Sequence, residues 1–342
     1  MSKIGLSIII PLYNAGGWIV PTVSHIVNSL KGTDFDAEII VIDDGSSDGG
    51  AEVARSIKMP RNIALVVVSQ ENTGRYLARK RGVELASKDN ILFIDSRVYI
   101  DEGSLSFLAS QLHHDADQIW NGHVNIDKLG NIFARFWDAI VKIAWRRYFR
   151  KPTTTSYGLK EFDYYPKGTT MIYMTKKKLI ASMVNFENTT NDLRFSSDDT
   201  LLIRYMAKQQ PIHLSPDFSC IYHARSTFKK FLSHTYDRGQ FFVDGFFRPG
   251  TRFFYPLLAV FIVSVGLVGG LFFWTLYALP VFLGLAVLFV IGLFVGALLF
   301  GVIIKDALAL GLLGLPFAIV YLAGLWRGLI RKIIKVSRRR TV

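Results

Sequence analysis

A short apolar segment that ends in two carboxylates constrains the fold of this chain more than any other feature. Residues 39–42 are consecutive isoleucines and valine, and Asp43 and Asp44 follow, before a turn rich in glycine and serine. Such a β-branched run, bounded by turn formers, predicts a buried parallel strand rather than a helix. Ligands of open α/β sheets bind at the carboxyl ends of strands, so both carboxylates are expected at a binding edge. The alternative is a plain strand-to-helix loop in which Ser47 or Asp48 caps the helix.

Strand-like and helix-like patterns alternate around this segment. Apolar runs that predict further strands occur at residues 6–11, 63–69 and 91–94. Helical spacing of apolar residues occurs at residues 18–30, 50–56 and 75–86, and a further helix is expected at residues 226–237, ending near Gly239. Pro11 is expected to end the first strand, because proline cannot donate to a sheet ladder. The alternation predicts an α/β fold with a mixed, mainly parallel sheet and helices on both faces.

The composition suggests a soluble part joined to a membrane part. The formal net charge is +13, yet half of the 342 residues are hydrophobic, which argues against a nucleic-acid binder with a polar surface. The single cysteine, Cys220, excludes an intrachain disulfide and fits a reducing compartment. The first apolar run is too short for a secretory signal, so the N-terminal part is expected to stay in the cytosol.

The C-terminal part predicts a membrane anchor. Residues 253–277 and 278–304 carry no charge, and each exceeds the roughly 20 residues that span a bilayer core. Residues 307–326 form a third apolar stretch that contains Pro316, and the tail after it is basic without any acid. A basic tail is expected in the cytosol. Both ends in the cytosol require an even number of spans, which favours two full spans and a third segment that does not cross. Alternatively, the rule that basic tails lie in the cytosol does not hold for this tail.

Residues 133–151 combine aromatic side chains at helical spacing with arginines and lysines on the remaining positions. A basic helix with an aromatic face is typical of a segment that lies in the membrane interface. The alternative is an ordinary amphipathic helix packed on the sheet. The sequence leaves both interpretations open.

Four motifs in the first hundred residues carry a family resemblance. They read SIIIPLYNAGGWI, IIVIDDGSSDGG, ENTGRYLARKRGVELA and ILFIDSRV. In this order they resemble the nucleotide-binding half of a family 2 glycosyltransferase with a GT-A, Rossmann-like fold, and the resemblance continues to about Gly239. It implies a catalytic domain over residues 1–245, in which residues 1–100 bind the nucleotide and residues 101–245 the acceptor. A transmembrane region at 246–330 and a basic tail at 331–342 would follow.

The resemblance implies roles for residues at the strand ends. Pro11 and Tyr13 would line the base pocket. A strand-end carboxylate can accept hydrogen bonds from a base N–H or from ribose hydroxyls, and the resemblance gives this role to Asp43, together with Asp44.

Two arginines are candidates for the donor diphosphate. Arg75 and Arg79 lie four residues apart and therefore share one helix face. Arginine pairs bidentately with phosphate oxygens, so we expect at least one of them to reach the diphosphate. The alternative is that Arg79 belongs to a solvated basic face with Lys80 and Arg81.

The segment Asp95-Ser96-Arg97 departs from the family pattern. Members usually have Asp-X-Asp here, whose carboxylates hold a divalent cation against the diphosphate, and Mg²⁺ and Mn²⁺ require such oxygen ligands. We favour a retained cation on Asp95, helped by His223 and the donor phosphates. Alternatively, Arg97 itself takes over part of the leaving-group charge, with weaker or no metal dependence.

An acidic pair further along is the candidate for the catalytic base. Inverting transfer needs a carboxylate that takes the proton of the acceptor hydroxyl. The resemblance assigns this role to Asp199, with Asp198 in place of the usual glutamate. The alternative is that both residues cap a helix. Processive members carry Gln-X-X-Arg-Trp after the base, whereas residues 235–242 read TYDRGQFF, which favours single transfers.

These expectations combine into one functional prediction. The protein would be a multi-pass cell-membrane enzyme that transfers a sugar, with inversion, from a nucleotide-sugar donor to a lipid-linked acceptor at the cytosolic face. The product would enter a surface polysaccharide or glycoconjugate, and no nucleic acid would be a partner. One alternative is a polyprenyl-phosphate glycosyl synthase, with a lipid phosphate as acceptor. Another is a non-catalytic membrane scaffold with a degenerate GT-A domain.

Overall fold

The computed structural model describes a sheet-based part and a helical part of the chain. The described residues are 3–185, 198–273 and 275–340. The strands, in chain order, are β1 (Ile4–Leu12), β2 (Phe35–Asp44), β3 (Ala64–Gln70), β4 (Asn90–Ile94), β5 (Val98–Ile100), β6 (Ile119–Ile126), β7 (Thr155–Tyr157), β8 (Met171–Thr175) and β9 (Ile212–Tyr222). The helices are α1 (Gly16–Leu30), α2 (Gly50–Arg55), α3 (Arg75–Leu85), α4 (Ser104–His114), α5 (Ile132–Ala144), α6 (Arg146–Phe149), α7 (Lys176–Asn185), α8 (Asp198–Gln209), α9 (Phe228–Phe246), α10 (Phe254–Phe273), α11 (Thr275–Leu299) and α12 (Ile304–Arg340).

The described chain divides into two compact units. Unit 1 contains residues 3–127 and the described part of residues 150–223. Unit 2 contains residues 128–149 and the described residues from 224 onward. Unit 1 holds all nine described strands, whereas the described elements of unit 2 are helices. The functional boundary expected at residue 245 stays a prediction.

The sheet of unit 1 has the strand order β3-β2-β1-β4-β8-β6-β9-β5, and β7 pairs with β9. Strands β1 to β4 pair in parallel with one another, because a helix carries the chain back between successive strands. Strands β5, β7 and β8 each pair antiparallel with their neighbours, while β6 and β9 are parallel. The sheet is therefore mixed, as predicted, and its parallel block coincides with the expected nucleotide-binding half.

The parallel block is covered by helices on both faces. Ile8 and Ile10 of β1 share a core with the apolar side chains of α1 and α4. Ile9 points the other way and lies against Gly82 of α3. Residues 39–42 of β2 are buried, as expected for a strand with helices on both faces. The predicted strand is thus confirmed.

Pro11 does not end β1, which corrects the prediction from the sequence. The strand continues to Leu12, and Pro11 pairs with Ile42 of β2. The ladder between β1 and β4 runs only from Leu6 to Ile9. A proline is tolerated at the end of a strand where a second neighbour no longer needs its N–H.

Helix α9 of unit 2 is longer than predicted. The sequence suggested an end near Gly239, but α9 continues to Phe246. A Cβ atom at Gly239 would lie 2.5 Å from the carbonyl oxygen of Tyr321 in α12. A Cβ atom at Gly324 would lie 2.2 Å from the carbonyl oxygen of Tyr236. The two glycines allow α9 and α12 to cross closely, so Gly239 does not mark the end of α9.

The aromatic and basic segment at residues 133–151 forms α5 and the short α6. Phe136 and Ala139 of α5 share a hydrophobic cluster with Phe231 of α9 and with Leu310 and Leu313 of α12. The apolar face of α5 is therefore covered by helices of its own unit, and this packing was not among the interpretations of the sequence.

Two of the described helices are long and apolar enough to cross a membrane, by length and composition: Pro280–Leu299 and Ile304–Ile334. Phe254–Gly270 is a shorter apolar helix. Pro316 lies inside α12, which continues through it. The segment that contains Pro316 is therefore one of the two helices that are long enough to cross a membrane. The number of spans stays a prediction.

Candidate functional site

The carboxyl end of β2 presents two buried carboxylates with different partners. Asp44 Oδ1 accepts hydrogen bonds from Thr73 N at 2.9 Å and Gln70 Nε2 at 2.8 Å, and its Oδ2 accepts one from Gly74 N at 2.8 Å. Asp43 Oδ1 accepts a bond from Ser46 N at 3.2 Å. Asp44 therefore holds the loop that leads into α3. A contact of Asp44 with the donor remains a prediction.

The glycine after the two carboxylates is required by the backbone. Gly45 has a φ of +75°, and a Cβ atom there would lie 2.9 Å from Asn72 N. A side chain at this position would be strained by the left-handed backbone conformation. It would also clash with the backbone of the loop held by Asp44. The sharp turn at this position brings the ends of β2 and β3 together.

Hydrogen bonds tie the loop after β1 to the loop after β2. Asn14 Oδ1 accepts a bond from Ser47 N at 2.9 Å, and Asn14 N donates to Ser46 Oγ at 3.0 Å. Asp48 Oδ2 accepts from Gly16 N at 2.8 Å. The N-cap residue of α2 is Gly49, but Asp48 Oδ1 accepts a hydrogen bond from the N–H of Gly50, the first residue of α2, at 3.1 Å. Asp48 therefore satisfies a backbone donor at the start of α2, whereas Ser47 is not the N-cap residue. Sequence reasoning gave these residues no part in joining the loops.

The predicted base-pocket residues lie at the same edge. Pro11 is buried in β1, and Tyr13 follows that strand with 54% of its surface exposed. Leu12 pairs with Asp43, so Tyr13 emerges next to the end of β2. An exposed aromatic ring at this point can stack on a planar base.

Arg75 and Arg79 have different environments although they share one helix. Arg75 is exposed at the start of α3, whereas Arg79 is only 1% exposed. Arg79 Nη2 lies 2.7 Å from Asp95 Oδ1, and the guanidinium also lies over Phe93. The solvated-face interpretation is therefore wrong for Arg79, although it holds for the exposed Lys80.

Four side chains form a second group beyond the end of β4, here called the Arg97 cluster: Trp18, Arg97, Asp127 and His223. The Arg97 guanidinium carbon lies 5.2 Å from the centre of the Trp18 ring. The same ring stacks on His223 with centroids 4.9 Å apart. His223 donates its backbone N–H to the carbonyl oxygen of Arg97 at 3.0 Å, and its Nδ1 lies 3.1 Å from Asp127 Oδ2.

Burial lowers the pKa of His223, and this effect outweighs the carboxylate of Asp127, which raises it. The positive charge of Arg97 lowers the pKa further. A neutral ring would direct an Nδ1–H towards Asp127. Among the described residues, the buried Nε2 of His223 has no hydrogen-bond partner. His223 is thus held by Asp127 through one nitrogen and by Trp18 through its ring.

Comparison with known proteins places the sequence in a family. Residues 7–178, half of the chain, match the family model described as glycosyl transferase family 2. The chain belongs to glycosyltransferase family 2. Its membership agrees with the strand-end carboxylates and the order of the four motifs.

Two curated relatives of this family 2 chain come from bacteria. Glycosyltransferase GlyG of Streptococcus pneumoniae is 32% identical over 130 residues, which cover 37% of this chain and 42% of the relative. Poly-beta-1,6-N-acetyl-D-glucosamine synthase of Staphylococcus aureus is 32% identical over 111 residues, which cover 32% of this chain and 26% of the relative. The matches thus span less than half of either relative.

A solved structure supports the fold. The mannosyltransferase PcManGT from Pyrobaculum calidifontis, in complex with GDP-Man and Mn²⁺, matches this chain with a TM-score of 0.55 and 15% sequence identity. The similarity covers 92% of this chain and 88% of that one. At this identity it establishes the GT-A-like fold alone.

The described residues of this family 2 chain do not form a cation site of the usual kind. Asp95 is paired with Arg79, and Arg97 stands where the second carboxylate of the family lies. His223, the second candidate ligand, is held by Asp127. In the described part of the chain, no group of three His, Cys, Asp or Glu residues is arranged to hold a metal ion.

The acidic pair begins a helix, as predicted. Helix α8 starts at Asp198, so Asp198 and Asp199 lie in its first turn. Their side chains, and residues 186–197 before them, lie outside the described part of the structure. The roles of both aspartates remain predictions.

Proposed function

We propose that this protein transfers a sugar from a nucleotide-diphosphate donor to an acceptor hydroxyl, with inversion at the anomeric carbon. The arrangement of strand ends carries the proposal, because the neighbouring parallel strands β1, β2 and β4 bring Tyr13, Asp43 and Asp95 to one edge of the sheet. Tyr13 would stack on the base, and Asp43 would accept hydrogen bonds from the base or the ribose. Pro11 would shape the pocket floor. Asp44 would keep the neighbouring loop in place, with exposed Arg75 at its end.

The transfer step needs one base and one leaving group. The acceptor oxygen attacks the anomeric carbon while the bond from that carbon to the donor β-phosphate oxygen breaks. The electron pair leaves with the nucleoside diphosphate, and the acceptor proton passes to the carboxylate of Asp199, beside Asp198. No covalent bond between sugar and enzyme is required.

The membrane helices suggest the class of acceptor. An enzyme anchored in the cell membrane meets lipid-linked acceptors at its surface, and a cytosolic catalytic domain meets nucleotide sugars. The relative named as a poly-N-acetylglucosamine synthase supports a role in surface polysaccharide or glycoconjugate synthesis. The missing Gln-X-X-Arg-Trp motif favours single transfers.

The test is a transfer assay on the full chain in detergent, with a panel of nucleotide sugars and two acceptors, a polyprenyl-diphosphate sugar and a polyprenyl phosphate. We expect turnover on the first acceptor, reduced ~100-fold or more by Asp199→Asn because the proton acceptor is lost. Exposed Glu102 provides the matched control Glu102→Gln, which should keep the rate. Turnover only on polyprenyl phosphate would favour the lipid-phosphate alternative. Nucleotide binding without turnover of any donor would favour the scaffold.

A further inference from the structure

We propose that helix α12 lies along the surface of a lipid bilayer instead of crossing it, so that the chain enters and leaves the bilayer on one face through α10 and α11. This placement concerns the membrane contact of unit 2 and does not depend on the proposed reaction. By length and composition α12 could cross a membrane, because residues 304–334 extend over about 45 Å at 1.5 Å per residue. The contacts of α12 with the rest of unit 2 favour the other placement.

Both ends of α12 are held by polar and charged partners within unit 2. Near its start, Asp306 is buried and pairs with Lys128 at 2.7 Å and with Arg135 of α5 at 2.9 Å. Near its other end, Arg331 Nη1 donates to Gln240 Oε1 of α9 at 2.8 Å. Such partners are compatible with a helix along the surface, and also with a helix whose two ends lie at opposite interfaces. The middle of α12 distinguishes these two placements.

The middle of α12 packs against a region of α5 and α9 that carries charge. Phe317 contacts Trp137 of α5, with ring centroids 5.6 Å apart, and the guanidinium carbon of Arg238 lies 5.8 Å from the centre of the same Trp137 ring. Arg238 is exposed, and it follows Tyr236, the residue of α9 that lies against Gly324 of α12. If α12 crossed the bilayer, this exposed arginine would lie at the depth of the hydrocarbon core. A charged side chain at that depth is costly and rare, so the middle of α12 is expected at the surface.

The contacts of α12 with α10 and α11 give the same direction. Near the start of α12, Leu310 shares a hydrophobic cluster with Ala297, close to the end of α11. Further along α12, Leu325 shares a cluster with Leu257 and Phe261, in the first half of α10. Both contacts lie away from the junction of α10 and α11, so α12 runs from the outer end of one helix to the outer half of the other. A third span antiparallel to α11 would instead carry the end of α12 towards the beginning of α11.

The side of α12 that faces away from α5 and α9 is an exposed apolar stripe. Its members recur at helical spacing on one face and are all exposed: Leu308, Leu312, Leu315, Ile319, Ile330 and Ile333. Lys305 and Arg327 are exposed on the same helix, and the sequence after Arg327 is basic without any acid. An apolar stripe bordered by cations fits the surface of a bilayer with acidic lipids, because the stripe enters the headgroup region and the cations meet lipid phosphates.

The first test measures from which face of the membrane the two ends of α12 can be labelled. Lys305→Cys and Arg327→Cys each replace an exposed side chain of the full-length protein. An impermeant maleimide is applied to sealed inside-out and right-side-out vesicles from expressing cells. We expect both cysteines to react in the same preparation and to lose their labelling in the other. Wild type gives the background, because its single cysteine, Cys220, is buried. Labelling of the two positions from opposite faces overturns the proposal.

The second test measures the depth of the stripe in the bilayer. A fluorescent label is attached to Leu308→Cys, Ile319→Cys or Ile330→Cys, and each protein is reconstituted into vesicles of phosphatidylethanolamine and phosphatidylglycerol. Lipids that carry a quencher either near the headgroup or deep in the acyl chain are then compared. We expect stronger quenching by the shallow quencher at all three positions. Stronger quenching by the deep quencher at Ile319→Cys than at the two other positions indicates a crossing helix and overturns the proposal. Protection of all three labels from both quenchers indicates a protein partner or a second copy on the stripe, and it equally overturns the proposal.

Discussion

The buried Arg79 and the partly buried Asp95 form an ion pair that joins α3 to the end of β4, with Nη2 and Oδ1 2.7 Å apart. Arg79 is among the largest fully buried side chains of the described residues. The pair fixes the strand end from which Arg97 follows. It therefore links the stability of unit 1 to the geometry of the donor edge.

Removal of Arg79 should destabilise the protein strongly. Arg79→Met removes the buried guanidinium that pairs with Asp95, and breaking such a pair costs about 3 kcal/mol. Thermal unfolding followed by intrinsic fluorescence should show a clear fall in midpoint, whereas the exposed Arg81→Gln should leave the midpoint in place. An unchanged midpoint for Arg79→Met would show that the pair contributes nothing to stability.

Asp44→Asn should weaken nucleotide binding more than it weakens the fold. The asparagine NH₂ group cannot accept a bond, so one of the N–H groups of Thr73 or Gly74 loses its partner, at a cost of about 1–2 kcal/mol. The loop beside Asp43 would then loosen. We expect about tenfold weaker diphosphate binding by calorimetry. Asp36→Asn, which removes a more exposed pair with Lys88, is the control. Equal effects of both changes would contradict the role of Asp44.

Two glycine substitutions should have opposite outcomes. A Cβ atom at Gly82 would lie 2.4 Å from Ile9 Cγ2, so Gly82→Ala should overpack the sheet and cost about 1–3 kcal/mol. A Cβ atom at Gly17 in α1 would meet nothing within 4 Å, so Gly17→Ala should be neutral or stabilising. Chemical unfolding of the two variants checks the difference. Similar stability of the two would argue against tight packing of α3 on β1.

Glu38 should give the protein a pH-dependent stability. Burial raises the pKa of this carboxyl, but hydrogen bonds from Ser7 Oγ at 2.5 Å and Ser87 N at 2.6 Å outweigh burial and lower the pKa below its ordinary value of 4.5. The stabilisation is therefore complete above pH 4.5 and is lost as the pH falls through the lower folded value. Melting temperatures of wild type and Glu38→Gln should differ at pH 7 and converge on acidification. A difference in melting temperature that widens towards low pH would contradict this prediction.

Much of the sheet could be predicted because its strands are buried on both faces. The continuous apolar run at residues 39–42 has no helical or alternating interpretation that fits its length. Pro11 and Gly239 misled the prediction, because each was interpreted as a local stop signal. Their neighbours in space, Ile42 for Pro11 and Tyr321 for Gly239, allow the elements to continue.

The site was less predictable than the fold, because its polar contacts join residues that are distant in the sequence. Asp44 was recognised as a strand-end acid, but its partners Thr73 and Gly74 follow the next strand. Arg79 was expected either at the diphosphate or on a basic surface, and nothing in the sequence indicated its ion pair with Asp95. The contact of Arg97 with Trp18 had no sequence signal beyond the altered acid motif.

The decisive measurement is a structure of the full chain with its preferred nucleoside diphosphate. We predict that the base lies against Tyr13 and that the ribose or the base edge is bonded to Asp43, at the edge where β1 and β2 end. A nucleotide bound away from these strand ends would contradict the proposed function.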